Sequence, residues 1–179
     1  MTSRRLILIR HAKTEQSGPP DQGDHGRRLL PRGEADAQAA GSWLVAQGLT
    51  PDLVLCSSSM RTRQTWEQMV SGGEGLSDVE VEHDRRIYNA SSEELLLLQV
   101  LTEVPAGAGT VAMIGHAPGI PDLVADLVDS DASSDAAVAA LDDGFSTMAC
   151  AVLAVDADWP NVTAGSARLT TLETPRSQT

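Results

Sequence analysis

The run Leu6-Ile7-Leu8-Ile9, which passes directly into Arg10-His11, constrains this chain more than any other feature. Consecutive apolar residues do not alternate, so the run fits a strand covered on both faces. Such strands occupy the middle of α/β sheets, and ligands gather beyond their carboxyl ends. Arg10 and His11 fall at that end. A guanidinium and an imidazole there make an anion site containing a nucleophile or base.

The rest of the chain supplies partners for this strand. Helices are expected over Gly33–Gln47, with Gly48 as the stop, and over Met60–Val70, with the serines Ser57–Ser59 before it. Another starts at Ser91–Glu94 with its body over Leu95–Glu103, and one runs from Pro121 or Asp122 to about Asp129. Further strands are expected at Asp52–Cys56, Val79–Glu82 and Thr110–Ile114. Phe145–Val155 and Ser166–Leu172 read as late strands, antiparallel around the turn Asp156–Gly165. Glu15–Pro31 is a loop rich in Gly, Pro and arginine, and Asp129–Ala140 is low in complexity. Length favours one domain over 1–179, with residues 1–3 and 174–179 frayed.

Charge narrows the partners. The net charge is −12, which argues against nucleic acid. Yet most of the cations precede residue 90, so a positive pocket inside an acidic shell is possible. No run is long enough to span a bilayer and no leader pattern is present, so a cytoplasmic location is expected. Cys56 and Cys150, far apart in apolar surroundings, are expected to be buried and reduced.

Two strand ends carry histidines, His11 and His116, and the strand ending at Cys56 leads to a helix start carrying Arg61. Parallel strands ending on one edge would bring Arg10, His11, Arg61 and His116 together. Two guanidiniums and two imidazoles suit phosphoryl transfer without a metal. Arginine binds phosphate oxygens bidentately at any pH, and a neutral imidazole can attack phosphorus. Nearby arginines keep that imidazole unprotonated. A metal site on the same histidines lacks clustered carboxylates or thiolates. His83 is expected to be exposed, Arg85 and Arg86 to be surface charges, and Trp43 and Trp66 to pack; Trp159 lies in a turn. His25 either rims the pocket or does not.

Three motifs in order carry a family resemblance. Leu8-Ile9-Arg10-His11-Ala12 resembles the Arg-His-Gly/Ala signature of the histidine phosphatase (phosphoglycerate mutase-like) superfamily. Ser57-Ser58-Ser59-Met60-Arg61-Thr62-Arg63-Gln64-Thr65 is similar to its second arginine motif, and Gly115-His116-Ala117-Pro118-Gly119 to its second histidine motif. Asp24 to Gly33 resembles the loop of the short, SixA-type phosphohistidine phosphatases. The resemblance implies a three-layer α/β/α sandwich with a mostly parallel sheet. His11 would be the nucleophile, Arg10 and Arg61 the phosphate clamps, and His116 a donor to a phosphoryl oxygen. Arg27, Arg28 and Ser57 would bind substrate, although Ser57 and Ser58 could equally cap the helix. No metal and no cofactor are implied.

The resemblance further implies a monomeric hydrolase acting on phosphohistidine in a protein, such as a histidine-phosphotransfer protein, with small phosphoesters as the alternative. Mutases of the family are longer. Larger relatives place an acid after the third strand, where this chain has Asn89. Glu93, Glu94 or a loop aspartate could substitute, so the general acid stays open. A phosphoresidue-binding module without turnover is the reading that Asn89 favours.

Overall fold

A computed structural model describes residues 3–90 and 94–178. Its sheet has six strands: β1 (Arg4–Arg10), β2 (Leu53–Ser57), β3 (Glu80–Asp84), β4 (Thr110–Gly115), β5 (Cys150–Val155) and β6 (Ala167–Glu173). They lie in the order β3-β2-β4-β1-β5-β6. The first four in that order are mutually parallel, and β5 and β6 add as antiparallel neighbours. The architecture is α/β with a mostly parallel sheet flanked by helices, as expected.

β1 shows why an unbroken apolar run was needed. Successive side chains of a strand point to opposite faces. Leu6 and Leu8 join one core with Leu55, Met113, Leu97, Leu123 and Trp159. Ile7 and Ile9 join another with Val54, Ile114, Ala40, Leu44 and Met69. The second core is roofed by α1 (Pro31–Ala46) and α2 (Met60–Gly72), the first by α4 (Glu94–Thr102) and α5 (Gly119–Leu127). Gly41 lets α1 approach α2 closely, because a Cβ there would overlap the carbonyl oxygen of Met69.

Several expected boundaries move. α1 starts at Pro31 rather than Gly33, since proline at the first helical position sacrifices no hydrogen bond. The loop before it contains a 3-10 turn over Gly23–Gly26. A five-residue helix, α3 (Arg85–Asn89), follows β3, capped by Asp84, whose carboxylate accepts from the Arg86 N–H at 2.7 Å. The low-complexity segment contains α6 (Asp135–Asp142). Of the expected strand Phe145–Val155 only the part from Cys150 pairs. Trp159 is fully buried, its Nε1–H donating to the Ala108 carbonyl at 2.8 Å. The expected helix start at Ser91–Glu93 lies outside the described residues. Among the described residues no helix is long and apolar enough to cross a membrane.

Candidate active site

Register brings the two histidines together. β1 and β4 are adjacent and parallel, with Arg10 opposite Gly115. The next residue of each strand is therefore a histidine leaving the same edge. His11 N–H donates to the Gly115 carbonyl at 3.0 Å, and the two ring centroids stand 5.4 Å apart. A carbonyl partner fixes the tautomer of His11. His11 Nδ1–H donates to the Ala12 carbonyl at 2.8 Å, which leaves the Nε2 lone pair free. His116 Nε2 and the Ser57 hydroxyl are hydrogen-bonded at 2.7 Å, and with the hydroxyl as donor the His116 proton lies on Nδ1. Ser57 does not cap α2; its hydroxyl engages His116.

The arginines arrive from two directions. Arg10 ends β1, and its Nη1 donates to the Phe145 carbonyl at 2.9 Å. The segment before β5 holds this corner, because the Met148 N–H reaches the carbonyls of both Arg10 and His11 at 3.1 Å. Met148 has φ 68°, a left-handed conformation uncommon outside glycine. Arg61 sits in the first turn of α2. Thr65 ties that turn to the strand end, accepting from Ala12 N–H at 3.1 Å and donating to the Arg61 carbonyl at 2.7 Å. Three buried nitrogens in this group have no hydrogen-bond partner among the described residues: Arg10 Nε, Arg61 Nε and His116 Nδ1. Buried donors left unsatisfied cost about 1–3 kcal/mol each, so a site that keeps three of them is built for an acceptor.

Burial and charge act on the imidazoles in the same direction. His11 is only 8 % exposed and His116 only 3 %. Burial, reinforced by the charges of Arg61, Arg10 and Arg27 and opposed by the Ala12 hydrogen bond, pushes His11 down to about 4. Burial, with Arg61 next in weight, pushes His116 down to about 3. Both rings are neutral at pH 7, so His11 Nε2 is a nucleophile and His116 Nδ1–H a neutral donor.

The loop after β1 contributes more than its arginines suggested. Asp24 is its hub. Its carboxylate accepts from Arg27 Nη1, Arg61 Nη2 and the Tyr88 hydroxyl, each at 3.1 Å, and its carbonyl accepts from Arg61 Nη1 at 2.8 Å. Partial burial raises the Asp24 pKa, but the hydrogen bonds and charges of Arg27 and Arg61 outweigh it and hold the carboxyl at about 2. This anion also relieves the clash between Arg61 and the helix dipole. Arg27 is held further by Thr14 Oγ1 at 2.6 Å and the Glu15 carbonyl at 2.8 Å. Arg28 is exposed; its backbone N–H donates to the Glu15 carboxylate and its carbonyl accepts from the Glu15 N–H, while its side chain makes no hydrogen bond among the described residues.

Asn89 is exposed at the end of α3, while its neighbour Tyr88 packs its ring edge-on to His116, centroids 5.7 Å apart. Glu93 lies outside the described residues. His25 does rim the site, hydrogen-bonded to Ser58 at 3.1 Å and edge-on to Tyr88 at 4.8 Å. An open cavity of about 560 Å³ begins here, lined by His25, Ser58, Arg63, Arg85 and Tyr88. Arg85 is thus more than a surface charge. His83 is exposed, and Arg86 is paired with Asp84 and Glu103. No group of histidine, cysteine and carboxylate side chains able to hold a metal occurs among the described residues.

Comparisons with known proteins agree with this geometry. The family model of the histidine phosphatase superfamily (branch 1) matches residues 6–91. An uncharacterised protein of Mycobacterium tuberculosis is 34 % identical over 169 residues, 94 % of this chain and all of the relative. The structure of the proposed phosphohistidine phosphatase SixA from Nakamurella multipartitia superposes with a TM-score of 0.82 at 32 % identity, covering 98 % of both chains. Its proposed counterpart from Agrobacterium tumefaciens gives 0.74 at 27 % identity, over 96 % of this chain and 98 % of that one. With its motifs at adjoining strand ends and its likeness to these relatives running nearly end to end, the chain belongs to the histidine phosphatase superfamily, branch 1.

Proposed function

We propose that the protein is a metal-independent phosphatase that works through a phosphohistidine on His11, with phosphohistidine in a protein as its substrate. The three unpartnered buried nitrogens carry this reading, since an oxyanion would satisfy all of them. His11 Nε2 attacks phosphorus with its lone pair, and the bond from phosphorus to the leaving group breaks. Arg10 and Arg61 balance charge on the phosphoryl oxygens, and His116 Nδ1–H donates to one of them. Water then attacks the phosphohistidine, releasing inorganic phosphate and restoring the neutral ring.

Chemistry of departure favours a phosphoramidate. A carboxyl held at about 2 is ionised at neutral pH, so Asp24 has no proton to give an alkoxide. Phosphohistidine needs less: once the far nitrogen of its ring is protonated, it leaves as neutral imidazole. The M. tuberculosis relative supplies no activity to borrow, whereas the SixA likeness supports the substrate class.

The test compares a phosphohistidine peptide with an aryl phosphate, using wild type and His11→Ala. An acid-labile phosphoenzyme in wild type alone, with faster peptide turnover, is expected. Phosphate release at equal rates from both proteins would overturn the mechanism, and preference for the aryl ester would overturn the substrate.

A further inference from the structure

We propose that the cavity beside the histidines is an anion subsite: the substrate carries a second acidic group, a carboxylate or phosphate on the leaving-group side, that sits between Arg63 and Arg85. The inference rests on the phosphatase reading and adds a substrate requirement to it.

The charge pattern is the first support. In an acidic chain the arginines mostly find carboxylates: Arg4 pairs with Asp158, Arg86 with Asp84 and Glu103, Arg168 with Asp156, and Arg176 with Asp36. Arg63 and Arg85 make no side-chain hydrogen bond or ion pair among the described residues. Glu67 lies one turn beyond Arg63 on α2, yet no ion pair forms between them. Both of these arginines line the same cavity, beside a histidine, a serine and a tyrosine, and none of its described lining residues is a carboxylate. Asp24, which accepts from the Tyr88 hydroxyl at the cavity wall, is engaged by Arg27 and Arg61.

Position is the second. Tyr88 is a wall shared by both compartments. Its ring meets His116 and, 5.9 Å from its centroid, the guanidinium of Arg61. The same ring meets His25, centroids 4.8 Å apart. The cavity, lined by Tyr88, therefore adjoins the compartment that holds the unpartnered nitrogens. One phosphoryl group satisfies Arg10, Arg61 and His116 and leaves Arg63 and Arg85 without a ligand. A second anion in that cavity reaches them, and guanidiniums take carboxylate and phosphate alike.

The test uses 4-carboxyphenyl phosphate and phenyl phosphate, wild type and the R63Q/R85Q double variant, and the two matching phosphonates, which cannot turn over. Wild type should favour the carboxylated member of each pair by about tenfold, in kcat/KM and in calorimetric affinity, with the preference shrinking as salt rises. The double variant should lose that preference. An unchanged ratio between wild type and variant overturns the subsite while leaving the phosphatase intact. Selective phosphonate binding without hydrolysis of either ester overturns the phosphatase while leaving the subsite. Phosphohistidine peptides flanked by glutamate or by glutamine identify the source of the anion. A larger ratio on the peptides than on the aryl pair assigns it to a protein substrate, and a smaller one to a small molecule.

Discussion

Acidification should destabilise this protein through the two imidazoles, and the size of the effect follows from their burial. His11 and His116 stay neutral in the folded chain down to about 4 and about 3, against about 6.5 when exposed. As pH falls through 6.5 the unfolded state takes up protons first, so stability is lost from there down to the folded values. Between pH 7.5 and pH 5 each ring should cost about 2 kcal/mol, or about 4 kcal/mol together. That is a large share of a typical domain stability of about 5–15 kcal/mol. Urea unfolding at the two pH values measures it. His11→Asn keeps a donor for the Ala12 carbonyl and His116→Gln keeps an acceptor for Ser57, so both remove titration with little change of shape. The loss on acidification should fall to about half in either single variant and shrink in the double variant to what His83 contributes, since partial burial lowers that ring's pKa too. A double variant that loses as much stability as wild type would refute the reasoning, as would proton NMR showing His11 titrating near 6.5.

Other expectations test the neighbouring structure. Ser57→Ala frees the His116 proton to settle on either nitrogen and should lower kcat about tenfold with KM little changed, measured on the preferred phosphorylated substrate. Gly41→Ala drives a methyl into the Met69 carbonyl and should cost about 3 kcal/mol in urea unfolding; a neutral result would mean that α1 and α2 can separate freely. Burial pushes the thiols of Cys56 and Cys150 up to about 12. Iodoacetamide at pH 8 should therefore label neither until denaturant is added, as mass spectrometry would read directly.

What the chain discloses in advance depends on how locally each part is determined. The buried strands show themselves because apolar runs bounded by Pro, Gly and charge have few other uses. Arg10, His11, Arg61 and His116 were legible as neighbours because parallel register delivers strand ends to one edge. α3 and α6 were not legible: the first is one short turn with a single buried residue, Ile87, and the second has little beyond alanine to face inward. The hub role of Asp24, the Tyr88 wall and the grip of Ser57 on His116 were equally hidden. Each depends on one side-chain atom meeting a partner remote in sequence, and no periodicity encodes that.

The corner that steadies Arg10 and His11 is made by main-chain atoms: the Phe145 carbonyl on one side and the Met148 amide on the other. Evolution can therefore rewrite the side chain at 145 without loosening the cation, so long as the peptide path survives. At 148 the tolerance is narrower, because the left-handed backbone favours glycine or asparagine over β-branched substitutes. A motif search tuned to conserved letters would pass over this support altogether, although the first guanidinium of the site hangs from it.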